Sequence, residues 1–182
     1  GMNPCIRGVV RKAIESGHEV VGYYRGYKGI LTDDIYLNAS NEPNMTLRCV
    51  SGLSMLGGTK LFSSRCPEFM EEAAQIRAAE NLRRNNIDAL IVIGGNGSLR
   101  GAMDLEKFWD GQIIGCPGTI DNDLNGTDYT IGFWTSVQTA VEAVDKLRDT
   151  ANSHERMFLV EVMGRHSGYI ALYTAIAAGA EV

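Results

Sequence analysis

The residues best suited to chemistry lie in one polar segment, residues 116–128. It contains three aspartates, two asparagines and two threonines, with little apolar bulk. Asp121 and Asp123 are two positions apart, so in an extended backbone their carboxylates point the same way. Two such carboxylates can divide the roles of a general base and a magnesium ligand. The alternative is a solvated turn, which Asn and Asp favour in any protein.

The neighbouring elements indicate where this segment lies. Residues 112–116 are predicted to form a strand before it, and a long amphipathic helix is predicted after it, ending near Asn152. The segment then stands at the carboxyl end of a strand, which is where open α/β sheets bind ligands. The apolar stripe of the helix consists of Val137, Ala140, Val141, Val144 and Leu147.

A glycine-rich turn follows a second predicted strand. Residues 87–93 form a continuous apolar run, typical of a strand buried on both faces of a parallel sheet. Residues 94–98 read Gly-Gly-Asn-Gly-Ser, and a helix is predicted from Leu99. Because glycines let backbone amides approach an anion and a helix start adds positive potential, the turn favours phosphate. The alternative is a tight turn that needs positive φ; neither GxGxxG nor the P-loop spacing is present.

A third polar turn has the same setting. Residues 163–168 lie between a strand predicted at 157–162 and a helix predicted at 169–178. A further strand is predicted to begin at residues 180–182. Since all three polar turns follow strands, the sequence predicts that they share one edge of a largely parallel α/β sheet.

The first part of the chain is more weakly patterned. Residues 6–14 carry the apolar spacing of a helix, with Pro4 near its start and Gly17 past its end. A short strand is predicted at residues 19–24, and residues 25–55 are predicted to be mostly loop with short strand or helix pieces.

Three arginines of this part stand out. Arg65 precedes a helix predicted to run to about Arg84, where the helix dipole also favours an anion. Arg7 and Arg11 are one helical turn apart and stand together. The alternative for each is an exposed, solvated arginine.

Composition excludes several classes of protein. The net charge of −5 over 182 residues argues against a nucleic-acid binder, and no apolar run is long enough to cross a membrane. No secretory leader is visible at Gly1. The cysteines show no CxxC spacing, so we expect reduced thiols in a cytoplasmic protein. They are Cys5, Cys49, Cys66 and Cys116.

The sequence resembles the ATP-dependent 6-phosphofructokinases over essentially the whole chain. The most specific matches are the stretch PGTIDND, which is residues 117–123, and Met163-Gly164-Arg165. The other matching stretches are residues 1–3, 6–11, 94–98 and 126–132, with Arg65. The resemblance implies a Rossmann-like three-layer sandwich with a largely parallel sheet. It also implies that residues 1–182 are a single incomplete ATP-binding and catalytic domain, lacking its first strand and a second domain.

What the resemblance implies for activity is phosphoryl transfer from ATP-Mg²⁺ to the 1-hydroxyl of fructose 6-phosphate. Asp121 is then the base, Thr119 and Asp123 support the reacting groups and the magnesium, and Arg65 neutralises charge on the moving phosphoryl group. The implied nucleotide-binding residues are Arg65, Cys66, Gly95, Asn96, Gly97 and Ser98. The implied sugar-phosphate residues are Thr119, Ile120, Asp121, Arg156, Met163, Gly164 and Arg165.

The resemblance also implies a homo-oligomer, a tetramer in the family. Arg156 reaches the sugar phosphate of a neighbouring subunit, and Arg7, Arg11 and Arg148 match positions that bind an allosteric nucleotide. Glycines at positions 97 and 118 favour ATP over pyrophosphate.

The departures from the family pattern predict a weakened enzyme. Asn96 stands where the family has a magnesium-linked aspartate, so the metal ligands implied here are Asn96 and Asp123. With the implied truncations, we expect binding without efficient turnover. The competing interpretation is a non-catalytic nucleotide- or sugar-phosphate-binding fragment or regulatory subunit. A lipid or NAD kinase with a similar glycine loop is a third, which residues 117–123 argue against.

Overall fold

A computed structural model describes residues 1–180 of the chain. The chain forms two compact units, one from Gly1 to Cys116 and the other from Pro117 onward. The further strand predicted at residues 180–182 falls largely outside the described residues.

The first unit is an α/β arrangement around two strands. Its elements are α1 (Met2–Glu15), α2 (Tyr27–Thr32), α3 (Glu72–Arg84), β1 (Ala89–Gly94), α4 (Asn96–Leu105) and β2 (Gln112–Pro117). Short 3₁₀ helices span Leu47–Val50, Leu53–Met55 and Pro67–Met70. The two strands are neighbours, and the Gln112 N–H donates to the Asp88 carbonyl at 3.0 Å. Both strands therefore start at the same edge, which makes the pair parallel and confirms the predicted class.

Two apolar clusters hold this unit together. The larger one joins α2, α3 and the end of α4, where Leu82 and Leu105 are fully buried. The smaller one seats α1 on the first long loop through Ile6 and Val10. Asn3 anchors the same helix, since its buried amide donates to the Leu56 and Gly57 carbonyls at 3.0 Å. Residues 25–55 are mostly loop with short helical pieces, as predicted, and these contacts fix the chain at the end of that stretch.

The second unit packs α5 (Phe133–His154) against α6 (Tyr169–Ala178). Phe133, Val137 and Ile170 form its buried centre. The predicted stripe of α5 and its end near residue 152 are confirmed to within two residues. Among the described helices of both units, none is long and apolar enough to cross a membrane.

Two strand predictions are wrong. Residues 19–24 form no strand and make only an isolated bridge between Tyr23 and Ile35. Their backbone bonds go to scattered loop positions, so no continuous ladder develops. Residues 157–162 are also not a strand, and Leu159 is 100% exposed. A strand needs a neighbour for its backbone groups, and in the described chain β1 and β2 pair only with each other.

Three smaller expectations also need correction. Only Val92 and Gly94 of β1 are buried, so the strand is not covered on both faces. The helix predicted up to Arg84 is interrupted at Glu71, whose extended backbone separates Pro67–Met70 from α3. Finally, α4 begins at Asn96, three residues before the start predicted at Leu99.

Candidate functional site

The glycine-rich turn after β1 forms the first turn of α4. Gly95 caps the helix, and Asn96, Gly97 and Ser98 are its first three residues. The first intrahelical bond joins the Leu99 N–H to the Gly95 carbonyl at 3.0 Å. The N–H groups of the opening residues lie at the positive end of the helix dipole, where α-helix geometry gives them no intrahelical acceptor. This arrangement suits an anion such as a phosphate.

Close packing fixes this helix end in place. A Cβ on Gly94 would lie 2.5 Å from the Ser98 Oγ, so only glycine permits the observed approach. The Tyr27 hydroxyl donates to the Ser98 carbonyl at 2.5 Å, and its ring stacks on Phe69 with centroids 4.0 Å apart. Burial raises the pKa of Tyr27, so the hydroxyl stays a donor at neutral pH.

Gly97 differs from Gly94 because packing within the fold does not require a glycine at position 97. A Cβ at Gly97 would meet no atom within 4 Å. The residue therefore leaves open space directly beside the amides of the helix start. Open space at this point is what close approach of a phosphate needs.

Arg65 and Cys66 lie ahead of the Pro67–Met70 turn, in the same unit as α4. Arg65 is exposed, and its guanidinium makes no ion pair or hydrogen bond with the residues that the structure describes. Cys66 caps the turn and packs against the larger apolar cluster. Packing of Cys66 thus fixes the backbone next to Arg65, whose guanidinium extends into solvent.

The polar segment after β2 is not extended, contrary to the sequence-based expectation. Asn122 adopts a left-handed conformation with φ of 51°. Its side-chain oxygen accepts the Thr130 N–H at 2.8 Å, which ties the segment to a buried residue. The rule that alternate side chains share a face therefore does not apply to Asp121 and Asp123. Asp121 is half-buried, whereas Asp123 is exposed.

The backbone of Asp121 is held by two hydroxyl groups. The Asp121 N–H donates to the Thr119 Oγ1 at 3.2 Å. The Ser167 hydroxyl donates toward the Asp121 carbonyl, at 2.7 Å, and lies 2.9 Å from the Gly164 carbonyl. The Ser167 hydroxyl therefore connects the segments around Asp121 and Gly164.

The turn at Met163, Gly164 and Arg165 is tightly shaped. Gly164 is buried with φ of 140°, which only glycine adopts readily. Arg165 is left-handed, with φ of 51°, and its side chain is exposed. Arg156 is exposed as well, directly after the left-handed residue that ends α5. Both arginines are accessible to a phosphate.

An open cleft of about 360 Å³ lies in the second unit. Ile120 and Met163, which the resemblance assigns to the sugar phosphate, both line it. Thr135, Ser136 and Thr139 add hydroxyl groups from α5, and Glu161 adds a carboxylate, to a wall that is otherwise apolar. The cleft therefore joins the two predicted substrate segments within one unit.

The predicted allosteric arginines have different environments. Arg7 donates to the Val50 carbonyl at 3.2 Å, and Arg11 is exposed on the same helix. Arg148 donates to the Ala178 and Gly179 carbonyls, the latter at 3.0 Å, and so caps the end of α6. Arg148 has a structural partner that the sequence did not reveal.

The predicted metal ligands supply oxygen donors. Asn96 offers an amide and Asp123 a carboxylate, which are ligand types that Mg²⁺ accepts. Within residues 1–180, no group of three or more His, Cys, Asp or Glu side chains could hold a metal ion. Magnesium is usually bound by one or two protein oxygens together with waters and phosphate ligands, so each of these donor types suits the metal.

Comparison with known proteins gives a match over the complete chain. A family model described as Phosphofructokinase matches residues 1–182. The ATP-dependent 6-phosphofructokinases of Lysinibacillus sphaericus and Staphylococcus epidermidis are 54% and 52% identical over 181 and 182 residues. The match covers 100% of this chain but 54% of each relative, so the chain spans about half their length. The crystal structure of Pichia pastoris phosphofructokinase in the T-state aligns with a TM-score of 0.89 at 39% identity, covering 99% of this chain and 20% of that one.

Proposed function

The chain belongs to the phosphofructokinase family, and from that membership we propose phosphoryl transfer from ATP to the 1-hydroxyl of fructose 6-phosphate. Such a glycolytic kinase yields fructose 1,6-bisphosphate. The observation that carries this proposal is the half-buried Asp121, held through Thr119 and Ser167 next to the turn of Met163–Arg165. The 54% and 52% identical relatives are named as ATP-dependent enzymes, which supports ATP as the donor.

In the proposed mechanism, the side chains of this chain position groups and neutralise charge, which are the main demands of phosphoryl transfer. The amides that open α4 bind nucleotide phosphate, with Gly97 leaving room for it. Asp121 accepts the proton of the attacking hydroxyl, a role that needs a carboxylate within hydrogen-bond reach. Arg65 neutralises charge on the transferred group. Arg165, and Arg156 of a neighbouring subunit, bind the sugar phosphate.

Magnesium, when bound, offsets the negative charge of the phosphates and helps to orient them. Asn96 and Asp123 would hold it, either directly or through its waters. Asn96 brings an oxygen but no negative charge, so the metal is held more weakly than by two carboxylates.

A coupled assay of ADP release, with and without fructose 6-phosphate, tests the proposal. We expect release that depends on the sugar phosphate and is lost in Asp121→Asn. Asp145→Asn is the matched control, because Asp145 is exposed on α5 and lies outside the proposed site. ADP release that ignores the sugar phosphate, or that survives in Asp121→Asn, would refute it.

The second candidate function is binding of nucleotide and sugar phosphate without catalysis. Asn96 at the start of α4 favours it, because the charge that would hold the metal is absent. Calorimetric binding of both ligands without ADP release would identify this case. In either case we propose a cytoplasmic homo-oligomer whose Arg7, Arg11 and Arg148 bind an allosteric nucleotide.

The single domain over residues 1–182 stays a prediction. Limited proteolysis around Pro117, where the two units join, would test it.

A further inference from the structure

We propose that Ser167 is a positioning residue that links the sugar-phosphate turn to the backbone of Asp121. The inference rests on the function proposed above and adds a residue that neither the motifs nor the resemblance assigns. The Ser167 hydroxyl lies within hydrogen-bond distance of two carbonyl oxygens, that of Asp121 at 2.7 Å and that of Gly164 at 2.9 Å, so its single proton is shared between them. The Ser167 N–H also donates to the Gly164 carbonyl at 3.0 Å.

The orientation of Asp121 depends on such backbone contacts. Its carboxylate makes no hydrogen bond or ion pair with residues 1–180, so no side-chain contact fixes its direction. Its N–H is held by the Thr119 hydroxyl at 3.2 Å and its carbonyl by Ser167. With both polar backbone groups held by side chains, the carboxylate direction follows from the backbone.

The Gly164 side of the link is the part that a substrate would change. Gly164 is buried with φ of 140°, and Arg165 after it has φ of 51°. A phosphate bound by Arg165 would select one arrangement of this constrained turn. Ser167 contacts the Gly164 carbonyl, so the conformation of this turn also determines the position of the Ser167 hydroxyl that donates to Asp121. Binding of the sugar phosphate and alignment of the base are thereby coupled.

Three variants isolate this link. Ser167→Ala removes the hydroxyl without adding bulk, and Ser167→Thr retains it. Ser167→Cys keeps a similar shape with a weak donor. Ser153→Ala is the matched control, because the Ser153 hydroxyl donates to the Asp149 carbonyl at the same 2.7 Å but within α5. Melting temperatures of all four variants establish that each is folded.

The first measurement needs no substrate. The carbonyl ¹³C resonance of Asp121 reports the hydrogen bond it accepts. We expect a shift in Ser167→Ala, a smaller shift in Ser167→Cys and none in Ser153→Ala. An unchanged Asp121 resonance in folded Ser167→Ala overturns the proposal.

The second measurement is a titration with fructose 6-phosphate. In the unmodified chain we expect the Asp121 amide resonance to move as the sugar phosphate binds. In Ser167→Ala the dissociation constant should change little, but the Asp121 response should disappear. The value of kcat should fall about tenfold, the loss that one ordinary hydrogen bond represents, with KM nearly unchanged and with recovery in Ser167→Thr.

The outcomes separate this inference from the proposed function. If the unmodified chain does not bind fructose 6-phosphate, the proposed function fails, and the link is then decided by the carbonyl resonance alone. If the sugar phosphate binds and Asp121 responds equally in Ser167→Ala, the function stands and the link is refuted. Where turnover is too slow to measure, the resonance shifts decide.

Discussion

At the scale of single residues, the substitution at position 96 has the clearest consequence. Asn96→Asp should raise ATP affinity in the presence of Mg²⁺ by about tenfold, because a hard cation prefers a charged oxygen ligand. Without metal, the new carboxylate faces the phosphates at the start of α4, and affinity should not increase. Titration calorimetry with and without Mg²⁺ measures both values. Equal changes under the two conditions would contradict the assignment of Asn96 to the metal.

Two cysteines should differ strongly in reactivity. Burial and the nearby Cys116 raise the pKa of Cys5 to about 11. Burial alone would also raise the pKa of Cys49, but hydrogen bonds from Thr46 and Tyr36, with the charge of Lys60, bring it below the usual value. At pH 8 alkylation of Cys49 should be about tenfold or more faster, since the thiolate is the reactive form.

The two alkylation rates should also depend differently on pH. The rate at Cys5 should keep rising from pH 8 to 10, whereas the rate at Cys49 levels off at lower pH. Mass spectrometry after timed alkylation measures each site, and Cys49→Ser should remove the fast phase. Equal rates at the two thiols would show that their surroundings do not differ as described.

Residue types in short motifs were predictable, but their contacts were not. The segment around Asp121 could be identified as a candidate site from its asparagine and aspartate side chains alone. The link from Ser167 to Asp121 spans 46 positions along the chain, and nothing local to either residue indicates it. The left-handed backbone of Asn122 was not predicted either. Asparagine tolerates positive φ better than most residues, but that tolerance alone does not show which asparagine adopts it.

At the scale of elements, the two glycines around the start of α4 make opposite predictions. Gly97→Ala should stabilise the fold by up to about 1 kcal/mol, since alanine favours a helix and its Cβ meets no atom within 4 Å. It should nevertheless weaken ATP binding, because the methyl group occupies the space beside the phosphate-binding amides. Thermal melting and ATP titration of one variant test both signs.

Gly94→Ala is the comparison for that variant. Its Cβ would lie 2.5 Å from the Ser98 Oγ, so we expect a loss of about 1–3 kcal/mol in unfolding free energy. If Gly97→Ala also destabilised the chain, or left ATP affinity unchanged, the open space at position 97 would not be a ligand site.

Helices were better predicted than strands for a physical reason. The periodicity of α1 and α5 is a local property of the sequence, and the structure confirms both helices. A strand exists only where another strand pairs with it. Residues 19–24 and 157–162 have strand-like composition but lack a continuous partner among residues 1–180, so composition alone was insufficient.

At the scale of the whole molecule, the uncovered apolar surface predicts self-association. Met157 is 97% exposed and Leu159 100%, with Met163 at 74% nearby in sequence. Clustered apolar side chains of this kind usually mark an interface or cause aggregation. We therefore expect an oligomer in solution, in agreement with the oligomeric assembly proposed above.

Light scattering over a range of protein concentrations tests this last prediction. Met157→Lys with Leu159→Lys should shift the population toward the monomer, because each lysine places a charge in the surface that must lose water on association. Met55→Lys is the control, as Met55 is 86% exposed but lies in the first unit, on a short 3₁₀ helix. If the unmodified chain were a monodisperse monomer at high concentration, residues 157–163 would not be an interface. If Met55→Lys dissociated the oligomer instead, the interface would belong to the first unit.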